Sequence, residues 1–367
     1  HMLAERVAWS VAGIGGIAAL AVGALVWLVV DLSGAYPRED METAAAYYLL
    51  LCLVDLASAL LYLLRRFLAM VGATVLALVV AGVLYETSNL EVRHIHWISL
   101  AVGAAVELGV AARVLRRRAR NTRGDLRLAS LPRTRITVRR VLPFACYGAL
   151  YFAFLTIDRI VAWTAADGPL PLWFDPSYEL GLDWALVGVV FALAFLEVTV
   201  EAFSKILEPM AGRFRVTEVR KHNRSVAGFW ARQLAAIGLL AAAGCWLAVG
   251  AAVGLDALGW LGPAQQVYDD PVTRQVFGFA VIGYALLALG ITNSVFVMSL
   301  NRPGRALASV APGVAVSAGI GLLATSQYDH WTAVFGLVVG AGVFATLSSW
   351  QAWRTLRRAD YYSYAAW

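Results

Sequence analysis

The chain has 367 residues, of which 60% are hydrophobic and 15% charged, with a mean hydropathy of +0.68. An ordinary soluble domain carries about 25% charge, so soluble globular folding is excluded. The net charge of +6 and pI near 9.3 need no nucleic-acid partner, because arginine retained in cytoplasmic loops accounts for both.

Spans are assigned from apolar runs of about 20 residues, the length that crosses about 30 Å of hydrocarbon. The first, about Ala8 to Val30, is too long for a signal-peptide core and carries Gly13, Gly15, Gly16 and Gly23, which allow close helix approach. The next three cover about Thr43 to Leu64, Phe67 to Tyr85 and Trp97 to Val114. A basic seam follows, RVLRRRARNTRGDLRLASLPRTRITVRR, with eleven arginines against one acid, Asp125. A run so basic cannot enter hydrocarbon. The fifth span, about Val141 to Thr164, leads to AADGPLPLWFDPSYELGLD, read as an acidic, proline-rich loop. The sixth covers about Trp184 to Phe203, and Lys205 to Arg224 reads as an interfacial helix. Four more spans follow, about Trp230 to Val253, Val276 to Leu300, Ala306 to Thr325 and Trp331 to Trp353.

The bases test this order. Arg6, Arg65-Arg66, the seam, Lys205 to Arg224, Arg302 with Arg305, and Arg354 to Arg358 fall on one side, while the other holds only Arg38, Arg93 and Arg274. The fold class is therefore an all-α polytopic membrane protein of about ten helices in a 4+6 arrangement. Its parts are a four-helix lobe at 1–115, an arginine-rich cytoplasmic linker at 116–140 and a six-helix lobe at 141–367. By the positive-inside rule both termini are cytoplasmic and the location is the inner membrane.

Charge near the bilayer centre costs about 2.5 to 3.5 kcal/mol on insertion scales, which makes ionisable residues inside spans the candidates for function. These are Asp55, Glu107, Asp158, Arg159, Glu197, Glu201 and Arg232. Glu197 and Glu201 stand one turn apart and, with Arg232 on the next helix, form the expected charged network. Asp158 and Arg159 are chain neighbours about 100° apart on a helix, so they are not expected to pair with each other. Asn293 and Asn301 are expected to form interhelical hydrogen bonds. His94 and His96 read as outer-loop residues, and histidine is absent from every span. No nucleotide-binding, hydrolase or zinc motif occurs, and the three cysteines lie apart in apolar runs. The chain is read as no enzyme, with no cofactor and no metal.

Four segments carry a family resemblance: YGALYFAFLTIDRIVAW, YELGLDWALVGVVFALAFLEVTVEAF, NSVFVMSLNRPGRALASVAPGVAVSAGIGLL and the tail RRADYYSYAAW. They resemble the C-terminal six-helix lobe of polysaccharide transporters in the multidrug/oligosaccharidyl-lipid/polysaccharide flippase superfamily, nearest to the Pel-type exopolysaccharide exporters. The resemblance implies two pseudo-symmetric lobes around a polar cavity that opens alternately to each side, with Asp158, Arg159, Glu197 and Glu201 in the cavity or gate. Four helices rather than six precede the seam, which leaves three readings: a truncation, a partner subunit that completes the cavity, or a fold put to another use. The implied function is export of a polysaccharide or lipid-linked saccharide. The alternatives are a scaffold subunit of an exopolysaccharide synthase and an integral-membrane acyltransferase. Partners on these readings are membrane lipids, the glycan substrate, a cytoplasmic glycosyltransferase and further subunits in a homo- or hetero-oligomer.

Overall fold

The computed structural model describes residues 2–34, 36–64, 66–121, 134–166, 172–213, 219–259 and 270–364. Hydrocarbon offers no partner to backbone N–H and C=O groups, so a spanning segment must satisfy them internally. The described residues accordingly form helices and no strand. In chain order these are α1 (Met2–Ser33), α2 (Arg38–Leu63), α3 (Phe67–Thr87), α4 (Val92–Asn121), α5 (Thr134–Ala165), α6 (Pro176–Arg213) and α7 (Val219–Ala257). They continue with α8 (Pro271–Ser299), α9 (Pro303–Gln327), a 3-10 turn (His330–Ala333), α10 (Val334–Leu356) and α11 (Ala359–Tyr364). Ten of these helices are long and apolar enough to cross a membrane. The protein is a multi-pass membrane protein, and side chains such as Leu68 and Trp246, 88% and 78% exposed, belong against lipid.

Several boundaries differ from the sequence reading. Helix α6 begins at Pro176, eight residues before Trp184, because Asp175 caps it by accepting from Ser177 N at 2.8 Å and Tyr178 N at 3.2 Å. A proline at the first helical position costs nothing there, since its missing N–H would be unpaired anyway. The segment expected as a separate interfacial helix is, over Lys205 to Arg213, the continuation of α6, and Val219 already belongs to α7. His94 and His96 lie in the first turns of α4 rather than in a loop, and His222 in α7. The expectation of histidine-free spans is corrected accordingly. Asn301 is no interhelical residue but a turn residue with a φ of 56°, between α8 and α9. Of the seam, Arg113 to Asn121 extends α4 and Thr134 to Arg140 opens α5, while 122–133 lie outside the described residues.

The chain divides into two compact units, His1–Arg133 and Thr134–Trp367. In the first, α4 packs against α2 and α3, and α1 lies on α2. In the second, α8 lies between α6 and α10, α7 adds to α6, and α9 joins α10 to α5. Membrane helices gain no hydrophobic drive from leaving lipid and associate through close packing of small residues. At the α9–α10 crossing a Cβ on Gly336 would stand 2.3 Å from Ser317 O, and one on Gly340 would stand 2.7 Å from Gly313 O. The α6–α7 crossing is closer still, with a Cβ on Gly244 only 1.9 Å from Gly188 O. Backbone cannot give way at these distances, so Gly340→Val should lower unfolding stability in detergent by about 1 to 3 kcal/mol or more. Gly342→Val, whose Cβ would meet nothing within 4 Å, should leave the thermal transition within experimental scatter.

Candidate functional site

One end of the second unit gathers ionisable side chains from α5, α6 and the 3-10 turn. Arg159 on α5 forms a charge-assisted hydrogen bond through Nη1 to Glu179 Oε2 on α6. Its Nη2 reaches Asp183 Oδ1, one turn further along α6, at 3.2 Å. The other Glu179 oxygen accepts from Trp163 Nε1 at 3.0 Å. Tyr178, wholly buried, donates to Asp158 Oδ2 at 3.3 Å. Asp158 is 1% exposed, and its second oxygen has no hydrogen-bond partner. The Tyr284 hydroxyl of α8 is buried beside this group.

These bonds have a particular consequence because α5 packs along α9, not along α6. The two helices are held at this end by long polar side chains reaching between them rather than by interlocked surfaces. Beyond them the turn before α10 closes the same end. Asp175 Oδ2 lies 2.5 Å from His330 Nε2, and His330 Nδ1 lies 2.6 Å from Asp329 Oδ1. Thr273 of α8 shares its hydroxyl between Ser177 O at 2.9 Å and Asp270 Oδ2 at 2.8 Å. This end is the acidic end of the unit.

The remaining sequence candidates are placed elsewhere. Glu107, 3% exposed on α4, accepts from Ser58 Oγ of α2 at 2.7 Å. Asp55 is exposed on α2, and Arg232 is exposed on α7 with no ion pair among the described residues. Glu197 and Glu201 belong to α6, but their side chains lie outside the described part. Asn293 does link helices, accepting from Trp230 Nε1 at 2.8 Å and donating to Ser349 Oγ at 2.9 Å. A groove of about 610 Å³ between α1 and α2, with Trp27, Met41 and Tyr48 in its walls, is almost wholly apolar and offers a solute little to bond. No set of three metal-ligating side chains occurs among the described residues. Sequence reasoning missed Glu179, Asp183, Asp175 and His330; the Asp-Pro start of α6 was the signal that would have placed the two acids on a helix.

No family model matches the chain, and no curated protein does either. Solved structures do. The chain is similar to a MATE protein in complex with MaL6, with a TM-score of 0.63 at 14% identity over 94% of this chain and 78% of that one. It is similar also to an outward-facing MATE family multidrug resistance transporter of the MOP superfamily, with a TM-score of 0.66 at 15% identity over 96% and 78%. The fold is that of MATE transporters. The all-α polytopic fold class expected from the sequence is the one observed.

The partners of Arg159 are unequal, because the Glu179 side chain is 7% exposed and that of Asp183 is 65%. Removing the cation from a buried partner strands a charge and costs about 3 to 5 kcal/mol, whereas an exposed pair is worth about 0 to 1 kcal/mol. Arg159→Met should therefore sharply reduce stability in detergent, Asp183→Asn should hardly change it, and Arg159→Met with Glu179→Gln should recover much of the loss.

Asp270 caps α8 outside the span, accepting from Thr273 N at 2.9 Å. Burial opposes its ionised form, but the Thr273 N–H and hydroxyl outweigh burial and hold the carboxyl below its ordinary range. A depressed carboxyl contributes stability that is present above its unfolded value, about 3.9, and lost as pH falls through the folded value. Asp270→Ala should cost about 1 kcal/mol at neutral pH, and the gap from the wild type should close as unfolding is measured at progressively lower pH below about 4.

Proposed function

We propose that this protein is a secondary transporter that works by alternating access and exports a polysaccharide or lipid-linked saccharide across the cytoplasmic membrane, with both termini on the cytoplasmic side. Asp158 is the residue that carries the coupling ion. The reading rests on one observation above the rest: a carboxyl buried inside a span, about 10 Å from the end of its helix at 1.5 Å per residue, with one oxygen unpartnered. An uncompensated carboxylate in such surroundings costs several kcal/mol, so a closed site holds a proton or a cation there. The neighbouring guanidinium is engaged with Glu179 and Asp183, so loading of Asp158 acts next to the bonds that tie α5 to α6.

Transport is supported by the shared fold, and the saccharide by the resemblance of the second block to polysaccharide exporters. A second reading, extrusion of small amphipathic drugs, is favoured by the multidrug resistance transporter among the structures of the same fold. Proteoliposomes with an imposed proton or sodium gradient separate them, with a fluorescent lipid-linked saccharide and ethidium as probes. Gradient-dependent movement of the saccharide is the expected result, and Asp158→Asn should abolish the gradient dependence while folded yield stays near that of the wild type. Movement of ethidium alone would transfer the assignment to the second reading. If neither probe moves and the protein co-purifies stoichiometrically with a glycosyltransferase, the scaffold reading replaces both.

A further inference from the structure

The opposite end of the second unit is built from arginine. Arg302 stands on the α8–α9 turn and Arg305 in the first turn of α9, Arg354 and Arg357 at the end of α10, and Arg358 just before α11. None of the five is ion-paired among the described residues. The acid in this stretch, Asp360, is committed to Asn223, accepting from its Nδ2 at 2.7 Å and donating its own N–H to Asn223 Oδ1 at 3.0 Å.

Two of the guanidinium groups converge on one ring. The Cζ atoms of Arg302 and Arg305 lie 4.9 Å and 4.7 Å from the centroid of Tyr362. Among the described residues the Arg305 guanidinium donates to two neutral oxygens, Thr355 Oγ1 at 2.6 Å and the Tyr362 hydroxyl at 2.5 Å. Arg302 has a buried Nε with no hydrogen-bond partner. The ring itself is fixed, 8% exposed and packed with Phe229, Phe296, Leu356 and Ala359. Two like charges are thus held over a rigid platform with donors to spare, and among the described residues no carboxylate pairs with either. At the same end of α10, the exposed Arg354 and Arg357 stack at 4.7 Å and 4.2 Å on Trp350 and Trp353, which are 48% and 44% exposed.

Exposed tryptophan at the end of a span marks the depth of the lipid headgroups, where phosphate lies. Guanidinium forks match phosphate oxygens two bonds at a time. We infer that this cluster binds the phosphate of an anionic phospholipid, with Arg302 and Arg305 holding the phosphodiester and Arg354 and Arg357 flanking it. The acyl chains of such a lipid would lie along the exposed tryptophan face of α10, which a soluble phosphate could not use. The inference is independent of the transport reading.

Native mass spectrometry of the full chain, delipidated and titrated with phosphatidylglycerol or phosphatidylcholine, tests it. The expected result is preferential binding of phosphatidylglycerol, weakened about fivefold by Arg302→Gln and again by Arg357→Gln, the factor for one basic side chain at an anionic surface. Arg302→Lys should restore most of the binding, and Arg274→Gln at the acidic end should leave it unchanged. Arg305 is left intact in these variants because its bonds to Thr355 and Tyr362 hold the fold. Equal affinity for the two lipids would overturn the inference, as would an Arg302→Gln protein that binds like the wild type. Displacement of the lipid by an equal concentration of inorganic phosphate would also overturn it, since the site would then serve a soluble anion.

Discussion

A guanidinium cannot be left alone in a low-dielectric interior, and the packing around Arg159 answers to that constraint. Helix α5 lies on α9, and without Arg159 little would draw it toward α6 at the acidic end. The Arg159–Glu179 pair sets the register of the two helices there, and Trp163 and Tyr178 each add a bond across the same interval. The desolvation of such a pair consumes most of its Coulombic attraction, so its contribution is orientation more than net stability. The helix start at Pro176 belongs to the same arrangement, because a helix begun at Trp184 would leave Glu179 and Asp183 without fixed positions.

The rest of the second unit is held by a different means. Burial from lipid yields little, so α8, α9 and α10 approach until glycine is the only side chain that fits, as at Gly336 and Gly340 against Ser317 and Gly313. Some hydroxyls inside these helices bond back to carbonyls of their own helix, Thr292 to Ala288 O at 2.7 Å and Thr355 to Gln351 O at 2.6 Å, which satisfies those donors without a partner from another helix. The first unit lacks this density. Gly13 and Gly15 of α1 meet nothing within 4 Å, and the α1–α2 contact rests on Tyr48, whose hydroxyl donates to Ala19 O at 2.6 Å.

The sequence was most legible where a single physical rule acts over a whole segment. Hydrocarbon thickness sets the length of a run and the exclusion of arginine sets its ends, so ten helices could be counted. Asp158 and Arg159 stood out because charge inside a span is costly. What escaped was any property of pairing. Glu179 and Asp183 sit among prolines and aromatics that also describe a loop, and only the Asp175 cap decides that the chain is already helical there. The glycines that matter are indistinguishable in sequence from those facing lipid, since Gly340 and Gly342 differ only in what the neighbouring helix places opposite them. Likewise the convergence of Arg302 and Arg305 on Tyr362 joins residues far apart in the chain, which no spacing rule reads.

The three carboxyls near Arg159 differ in depth, and their order bears on how a gate here could open. Separating α5 from α6 by simple rupture would strand Glu179 at a cost of about 3 to 5 kcal/mol, a factor of ten against the open state for about every 1.4 kcal/mol. Exchange of partners avoids that cost, because a guanidinium has five donors and can keep one carboxylate while releasing another. Asp183 offers a partner on the exposed side, and Asp158 one on the buried side. A proton added to Glu179 would weaken the tie directly but would have to displace an existing bond. Asp158 has a buried oxygen with no hydrogen-bond partner, so on the transport reading a proton or cation taken up there would displace no existing bond and would alter the field felt by the guanidinium on the adjacent residue. On the transport reading, loading belongs to Asp158 and the mechanical response to Arg159, a division of labour that follows from which oxygen is free.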